Sequence, residues 1–389
     1  MVDDLSATAI DRRSTLAMGI AAIAASARAE QGPRRSPPGS IVINSLGEIT
    51  NPNARPAQAA TGAVARADNA IVDERAIADA HASGLTAVNI TLGYVAGKDD
   101  PFPATVRDIA LWDQRIRSRA ADLVKVYTAA DIVQAHAQGK IGIIYGFQNA
   151  AMMADDASRV DIFAGLGVRV IQLTYNPRNQ LGCGSTVADN CGLSDFGREV
   201  VERLNANRVI VDLSHSGEQT CLDAIRASKQ PIAITHTGCR ALSDLPRNKT
   251  DRELRMVAER GGYVGIYFML YLNAAGRASA ADLVRHIEHA VNLCGEDHVG
   301  IGTDGTITSH DDMPAYLANF HTEYAARAAA GIAAPGEGPD RYPFLMDLRG
   351  PGQFRQLARL LTARGFTQAR VDKILGGNFL AYARSVWGG

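Results

Sequence analysis

Short apolar runs alternate with longer stretches of helical periodicity along most of this chain. The runs at 40–44, 86–91, 141–145, 168–174, 209–213, 231–235, 263–268 and 298–303 are continuous in Val and Ile. Continuous runs, as opposed to alternating ones, mark parallel strands buried on both faces. Between them, stretches such as 72–83, 195–205, 217–227, 251–260 and 280–293 carry apolar residues at helical spacing. Eight strands interleaved with helices predict an α/β protein whose sheet closes on itself, a TIM-type (β/α)8 barrel formed by residues 30–389 as a single domain. The competing arrangement is an open doubly wound sheet. It would carry a Gly-rich phosphate turn after an early strand, and the sequence has none.

A barrel of this kind places its chemistry at the C-terminal strand ends. The residues there are Asn44 to Glu48, Asn89, Thr91, Gln148, Thr174-Tyr175-Asn176, Asp212, Ser214-His215, Thr235-His236, Tyr267 and Asp304. Gathered at one mouth, they describe a pocket suited to metal-assisted hydrolysis or to acid/base chemistry. A single strand-end histidine is more often a satisfied structural residue. His215 and His236, however, end consecutive strands, and neutral imidazole is the commonest metal ligand, so the two together point to a functional pair. His286 and His289 sit three apart on an expected helix and read as a solvated face, while His310 follows Asp304 in a loop.

Composition narrows the partners. With 40 basic and 41 acidic residues the net charge is -1, which argues against nucleic acid and against an anionic membrane surface. The first 29 residues read as an address. Arg12-Arg13-Ser14-Thr15-Leu16 precedes an apolar run over 16–25, and Ala27-Arg28-Ala29 supplies a cleavage pattern, together a twin-arginine-type export signal cut after Ala29. The run is too short to span a bilayer, so the mature chain is expected in the periplasm without a transmembrane segment; a short amphipathic N-terminal helix is the alternative. The five cysteines lack C-x-x-C spacing, which disfavours a structural zinc cluster. In an oxidising compartment Cys183 and Cys191 could close a disulfide around a loop of small and turn-forming residues, although spacing alone does not fix connectivity. Cys221, Cys239 and Cys294 read as buried small hydrophobes.

Several ordered motifs then carry a family likeness. Val211-Asp212-Leu213-Ser214-His215-Ser216, Thr235-His236-Thr237 and Arg247-Asn248 resemble the second half of the active site of the membrane (renal) dipeptidases, peptidase family M19. Asn176-Pro177-Arg178-Asn179, the segment 192–197, Gly300-Ile301-Gly302-Thr303-Asp304 and Gly376-Gly377-Asn378-Phe379 also look like landmarks of that family. The resemblance implies a metallo-dependent hydrolase barrel that cleaves dipeptides with two zinc ions. A carboxylate bridges the metals, two histidines hold one ion, and a His-x-Asp pair with a late aspartate holds the other. His215 and His236 match the two histidines, Asp304 the late aspartate, and Arg247 the arginine that holds the substrate carboxylate.

The departures are as plain as the matches. Where the family has His-x-Asp this chain reads Leu46-Gly47-Glu48, where it has the bridging glutamate this chain has Gln148, and where animal relatives have a histidine near the scissile carbonyl it has Tyr175. A neutral amide leaves two close dications to repel with little compensation. The expectation is at most one zinc ion, on His215 and His236, with Gln148 or Asp304 as third ligand and Glu48 as the remnant of the His-x-Asp pair. Asp304 and Tyr175 are then the candidate catalytic groups, and Arg247, Asn248 and Asn176 the candidate substrate-binding ones. Arg247 could instead form a structural ion pair with Asp251. Three outcomes follow: a one-metal hydrolase of dipeptides or small carboxylated amides, a metal-free lyase or isomerase on the same barrel, or a binding protein with a vestigial site. A homodimer is the candidate assembly.

Overall fold

The computed structural model describes residues 39–54 and 70–388; the expected export signal over residues 1–29 lies outside them. Each apolar run becomes a strand, in the order β1 Ile43–Asn44, β2 Ala87–Thr91, β3 Leu123–Lys125, β4 Ile141–Phe147, β5 Val168–Gln172, β6 Ile210–Asp212, β7 Ala233–Thr237, β8 Tyr263–Ile266 and β9 Val299–Ile301. All pairings are parallel, and the path runs β1-β2-β4-β5-β6-β7-β8-β9. The ring returns on itself where Ser45 N–H donates to the Ile301 carbonyl at 3.0 Å and Glu48 bridges to Thr306. The expected eight-stranded barrel is therefore the fold. The extra strand, β3, pairs only with the first three residues of β4, below the point where β5 joins, and takes no part in the ring.

Two apolar layers hold the barrel. One lies between the strands and the surrounding helices, where the buried faces of segments such as Asp195–Ala206 (Val200, Val201, Leu204) and Ala280–Cys294 (Leu283, Ile287, Ala290) pack on Val211, Val264 and Ile301. The other fills the bottom of the ring. There Ile43, Ala87, Ile144, Val170, Ile210, Ala233 and Tyr263 meet Phe379, Tyr382, Val386 and Trp387 of the C-terminal helix Asn378–Trp387. That helix is tied in by Asn378 Nδ2 to the Val299 carbonyl (2.8 Å) and Tyr382 Oη to the Pro231 carbonyl (3.1 Å). Gly376, just before it, lies so close to the first strand that a Cβ would sit 2.5 Å from the Ile41 carbonyl oxygen, which is why only glycine fits. With the N-terminal end plugged, the C-terminal strand ends form the one mouth that the ring itself leaves for chemistry.

The expected solvated face around His286 is not what forms. His286 is 1% exposed, accepts from the Cys239 amide at Nδ1 (2.9 Å) and donates from Nε2 to the Leu272 carbonyl (2.9 Å). His289 is the outer member and meets Asp251 at 2.8 Å. Cys183 and Cys191 are disulfide-bonded, with Cα atoms 5.5 Å apart, and Cys221, Cys239 and Cys294 are buried thiols.

Candidate functional site

The short strand β6 ends in Asp212, whose carboxylate is fully enclosed and is the hub that joins β6 to β7. It accepts from Ser214 N (3.1 Å), Ser214 Oγ (2.6 Å), Thr235 N (3.0 Å) and Thr235 Oγ1 (2.6 Å). Burial pushes its pKa up, and these donors pull it part of the way back. The network fixes the backbone on which both histidines stand, since His236 N–H also donates to Ser214 Oγ at 3.1 Å. His215 and His236 consequently face one another with ring centroids 4.9 Å apart, and Tyr175 stacks on His215 at 4.3 Å.

The hydrogen bonds assign both tautomers. Thr235 Oγ1 spends its hydrogen on Asp212, so it must accept from His236 Nδ1–H (3.0 Å), which leaves His236 Nε2 a bare lone pair. That atom is buried and has no hydrogen-bond partner. Arg247 can only donate, so its Nη2 at 3.1 Å from His215 Nε2 makes that nitrogen the acceptor, and His215 Nδ1–H donates to Asn176 Oδ1 at 2.6 Å. Both rings are therefore neutral. Burial first, then Arg247, lowers the pKa of each well below the ordinary imidazole value.

Arg247 is the largest fully buried side chain among the described residues, 1% exposed. It gives Nη1 to the Ser214 carbonyl (2.7 Å) and lies 5.9 Å from the ring centres of Tyr267 and Tyr271. The alternative ion pair with Asp251 is not made, since Asp251 is taken by His289, and among the described residues no carboxylate lies within 4 Å of the Arg247 guanidinium. Its neighbours are differently placed. Lys249 is 2% exposed and sits 3.4 Å from Glu253 Oε1, while Glu253 Oε2 caps the helix Asp251–Glu259 through Thr250. Both amide donors of Asn248 go to the carbonyls of Ser243 and Tyr271, and its oxygen accepts from Tyr267 Oη, so Asn248 shapes the loop. Asn176 likewise orients His215, and its Nδ2 holds the Ile332 carbonyl at 3.0 Å. Cys183 begins the disulfide loop that backs this corner, and a Cβ on Gly184 would sit 2.0 Å from the Tyr175 carbonyl oxygen.

The remaining expected residues line the mouth elsewhere. Glu48 and Asp304 border a cavity of about 640 Å³ together with His310, Tyr316 and Glu323. Asp304 has a left-handed backbone (φ 55°), a conformation that aspartate tolerates and that recurs at functional sites. Gln148 is 5% exposed and gives Nε2 to Thr91 Oγ1 at 2.7 Å. Among the described residues, His215, His236, Glu48 and Asp304 do not bring three ligand atoms within 4.8 Å of one another. Leu46 offers no ligand atom, and Arg247 holds the His215 lone pair. Among the described residues, Cys183, Asp189 and Cys191 are the one group of three His, Cys, Asp or Glu side chains with ligand atoms all within 4.8 Å, and two of these are joined as a disulfide.

Sequence reasoning missed the segment that reaches over the mouth from the helix Met313–Ala329. Its Arg327 bonds Glu337 (2.9 Å), and Glu337 also accepts from Tyr271 Oη (2.7 Å) and Ala334 N (3.0 Å). Burial alone would lower the Arg327 pKa, but Tyr175 and Glu337 outweigh it and hold the guanidinium charged. No motif marks these residues; the helix buries only Phe320, so its periodicity is weak.

Comparison with known proteins bears on the same region. Residues 80–314 match the pattern of membrane dipeptidases, peptidase family M19. The fold overlays an amidohydrolase from Pseudomonas aeruginosa with a TM-score of 0.74 and 33% identity, covering 90% of this chain and 97% of that one. An uncharacterized protein from the pqqA 5' region of Klebsiella pneumoniae is 28% identical over 299 residues, 74% of this chain and 98% of that protein. Dipeptidase tcpJ of Claviceps purpurea is 27% identical over 279 residues, 70% of this chain but only 58% of its own length.

Proposed function

The chain belongs to the membrane dipeptidase family, peptidase family M19, and from that premise we propose that its barrel mouth binds a dipeptide or a similarly small carboxylated amide and does not cleave it by the family's metal chemistry. The family is one of metallopeptidases, which implies a metal. The described side chains do not fit one, for the reasons given by Leu46, Gln148 and the Arg247–His215 bond.

The observation that carries the ligand class is the buried guanidinium of Arg247 with no carboxylate within 4 Å among the described residues. An isolated buried charge is costly, and a planar fork of donors is suited to a carboxylate. Beside it, His236 Nε2 offers an acceptor without a donor. A carboxylate next to an amide N–H, the C-terminal half of a dipeptide, supplies the complement of both. Neutral His215 and His236 add no competing positive charge, because burial keeps them deprotonated.

Thermal unfolding measured with matched ligands tests this reading. A dipeptide should raise the melting temperature, and the same dipeptide with its C-terminal carboxylate converted to an amide should not. Equal stabilisation by both would remove Arg247 as the anchor. A second reading, a hydrolase with a single zinc ion on the two histidines, draws on the one lone pair that remains open, His236 Nε2. It requires zinc-dependent release of free amino acids.

A further inference from the structure

The two imidazoles are alike in tautomer and unlike in surroundings. Each carries its proton on Nδ1, but His236 Nε2 is buried without a partner while His215 Nε2 accepts from Arg247 at 3.1 Å. We propose that the Arg247 guanidinium takes, on the His215 ring, the place that a metal ion would need, so that the pocket works with a cation built into the chain and excludes zinc. This rests on the reading above only for the identity of the anion. Failure of the carboxylate test would change the ligand and leave the exclusion of zinc to be judged by its own measurement.

Three features carry the inference. An imidazole nitrogen has one lone pair, and a guanidinium is protonated at any pH the protein survives, so the bond from Arg247 and a bond to a metal are mutually exclusive at His215 Nε2. The guanidinium is also seated and not merely passing: the Ser214 carbonyl holds Nη1 at 2.7 Å, and Tyr267 and Tyr271 present ring faces 5.9 Å from its centre. Cation–π contact of this kind strengthens where water is excluded, and Arg247 is 1% exposed. Finally, three side chains of the site offer a dication no free carboxylate. Gln148 is neutral and engaged with Thr91, Leu46 is apolar, and the Asp212 carboxylate is saturated by Ser214 and Thr235 on the far side of the His236 ring. A site that keeps both histidines yet withholds one lone pair and the bridging carboxylate has the donor geometry of an anion receptor.

The exclusion can be reversed by one substitution. Arg247→Met keeps volume and apolar contact with the two tyrosines but frees His215 Nε2, leaving two bare nitrogens on facing rings. Wild type and Arg247→Met would each be equilibrated with zinc chloride, passed through a desalting column and analysed for zinc by mass spectrometry. Retention by the variant alone, a tenfold or greater difference per chain, is the expected result. One equivalent of zinc on the wild type overturns the proposal, and so does a folded variant that retains none. If the variant fails to fold, long-range proton–nitrogen NMR of the wild-type histidines decides. His215 should show a protonated Nδ1 and a hydrogen-bonded, bare Nε2 whose shift zinc does not move; a zinc-induced shift at that nitrogen contradicts the proposal.

Discussion

Lowering the pH from 7 to 5 should weaken this fold by an amount set by three buried histidines. His286 is the best-defined case, because its Nδ1 must stay unprotonated to accept from the Cys239 amide. Burial, the leading cause, brings its pKa down to about 4 from an ordinary 6.5. The unfolded chain therefore takes up a proton at this residue below pH 6.5 while the folded chain does not, and stability present above 6.5 is lost as the pH falls toward 4. Each unit is worth about 1.4 kcal/mol, so the one and a half units between 6.5 and 5 cost about 2 kcal/mol for His286 alone. His215 and His236 are lowered too, in the same direction and for the same cause. Each therefore adds to the loss of stability as the pH falls. Urea unfolding at pH 7 and pH 5 at one ionic strength measures the difference directly. Replacing His286 with Gln should lower stability at pH 7 and remove about 2 kcal/mol of the pH dependence. Equal unfolding free energies at the two pH values would refute the assignment of these rings as neutral.

Other consequences are simpler to state. Replacing Cys183 and Cys191 together with Ala opens a loop closed over a separation of eight residues, and chain-entropy reasoning gives a loss of about 2.5 kcal/mol; a denaturant midpoint unchanged under non-reducing conditions would argue that the loop is held by other contacts. We propose that residues 1–29 are a twin-arginine export signal, so mass spectrometry of periplasmic protein should find a chain beginning at Glu30. Changing Arg12 and Arg13 to Lys should then strand the protein in the cytoplasm, and an unaltered periplasmic yield would rule that route out.

The barrel was legible because its strands are buried on both faces and so read as uninterrupted Val and Ile, and each of the eight runs became a strand of the ring. β3 was not, since three residues between two helices carry too little pattern, and its partner edge on β4 is visible only in three dimensions. His286 misled because an i, i+3 pair of histidines on a helix carries no sign of which face is inward; the deciding partners, Cys239 and Leu272, are distant in sequence. The mouth residues at the ends of β6 and β7 could be named from sequence because strand ends place them. Their bonding could not. Whether Arg247 faces a ligand or the His215 ring, and whether Asn176 and Asn248 offer donors to a substrate or spend them on the loops at Ile332, Ser243 and Tyr271, depends on side-chain geometry that no spacing encodes. Arg327 and Glu337 escaped notice for a related reason, as they reach the mouth from a helix and loop with little buried apolar surface.

The central claim is that a barrel descended in form from a metallopeptidase keeps the substrate-shaped mouth and dispenses with the ion. Its most direct test is titration calorimetry of a dipeptide into protein dialysed against a chelator, repeated with zinc restored, with the cell contents analysed afterwards for free amino acids. The account predicts the same affinity in both conditions and an intact dipeptide at the end. Binding that appears only with zinc, or amino acids released only with zinc, would contradict it.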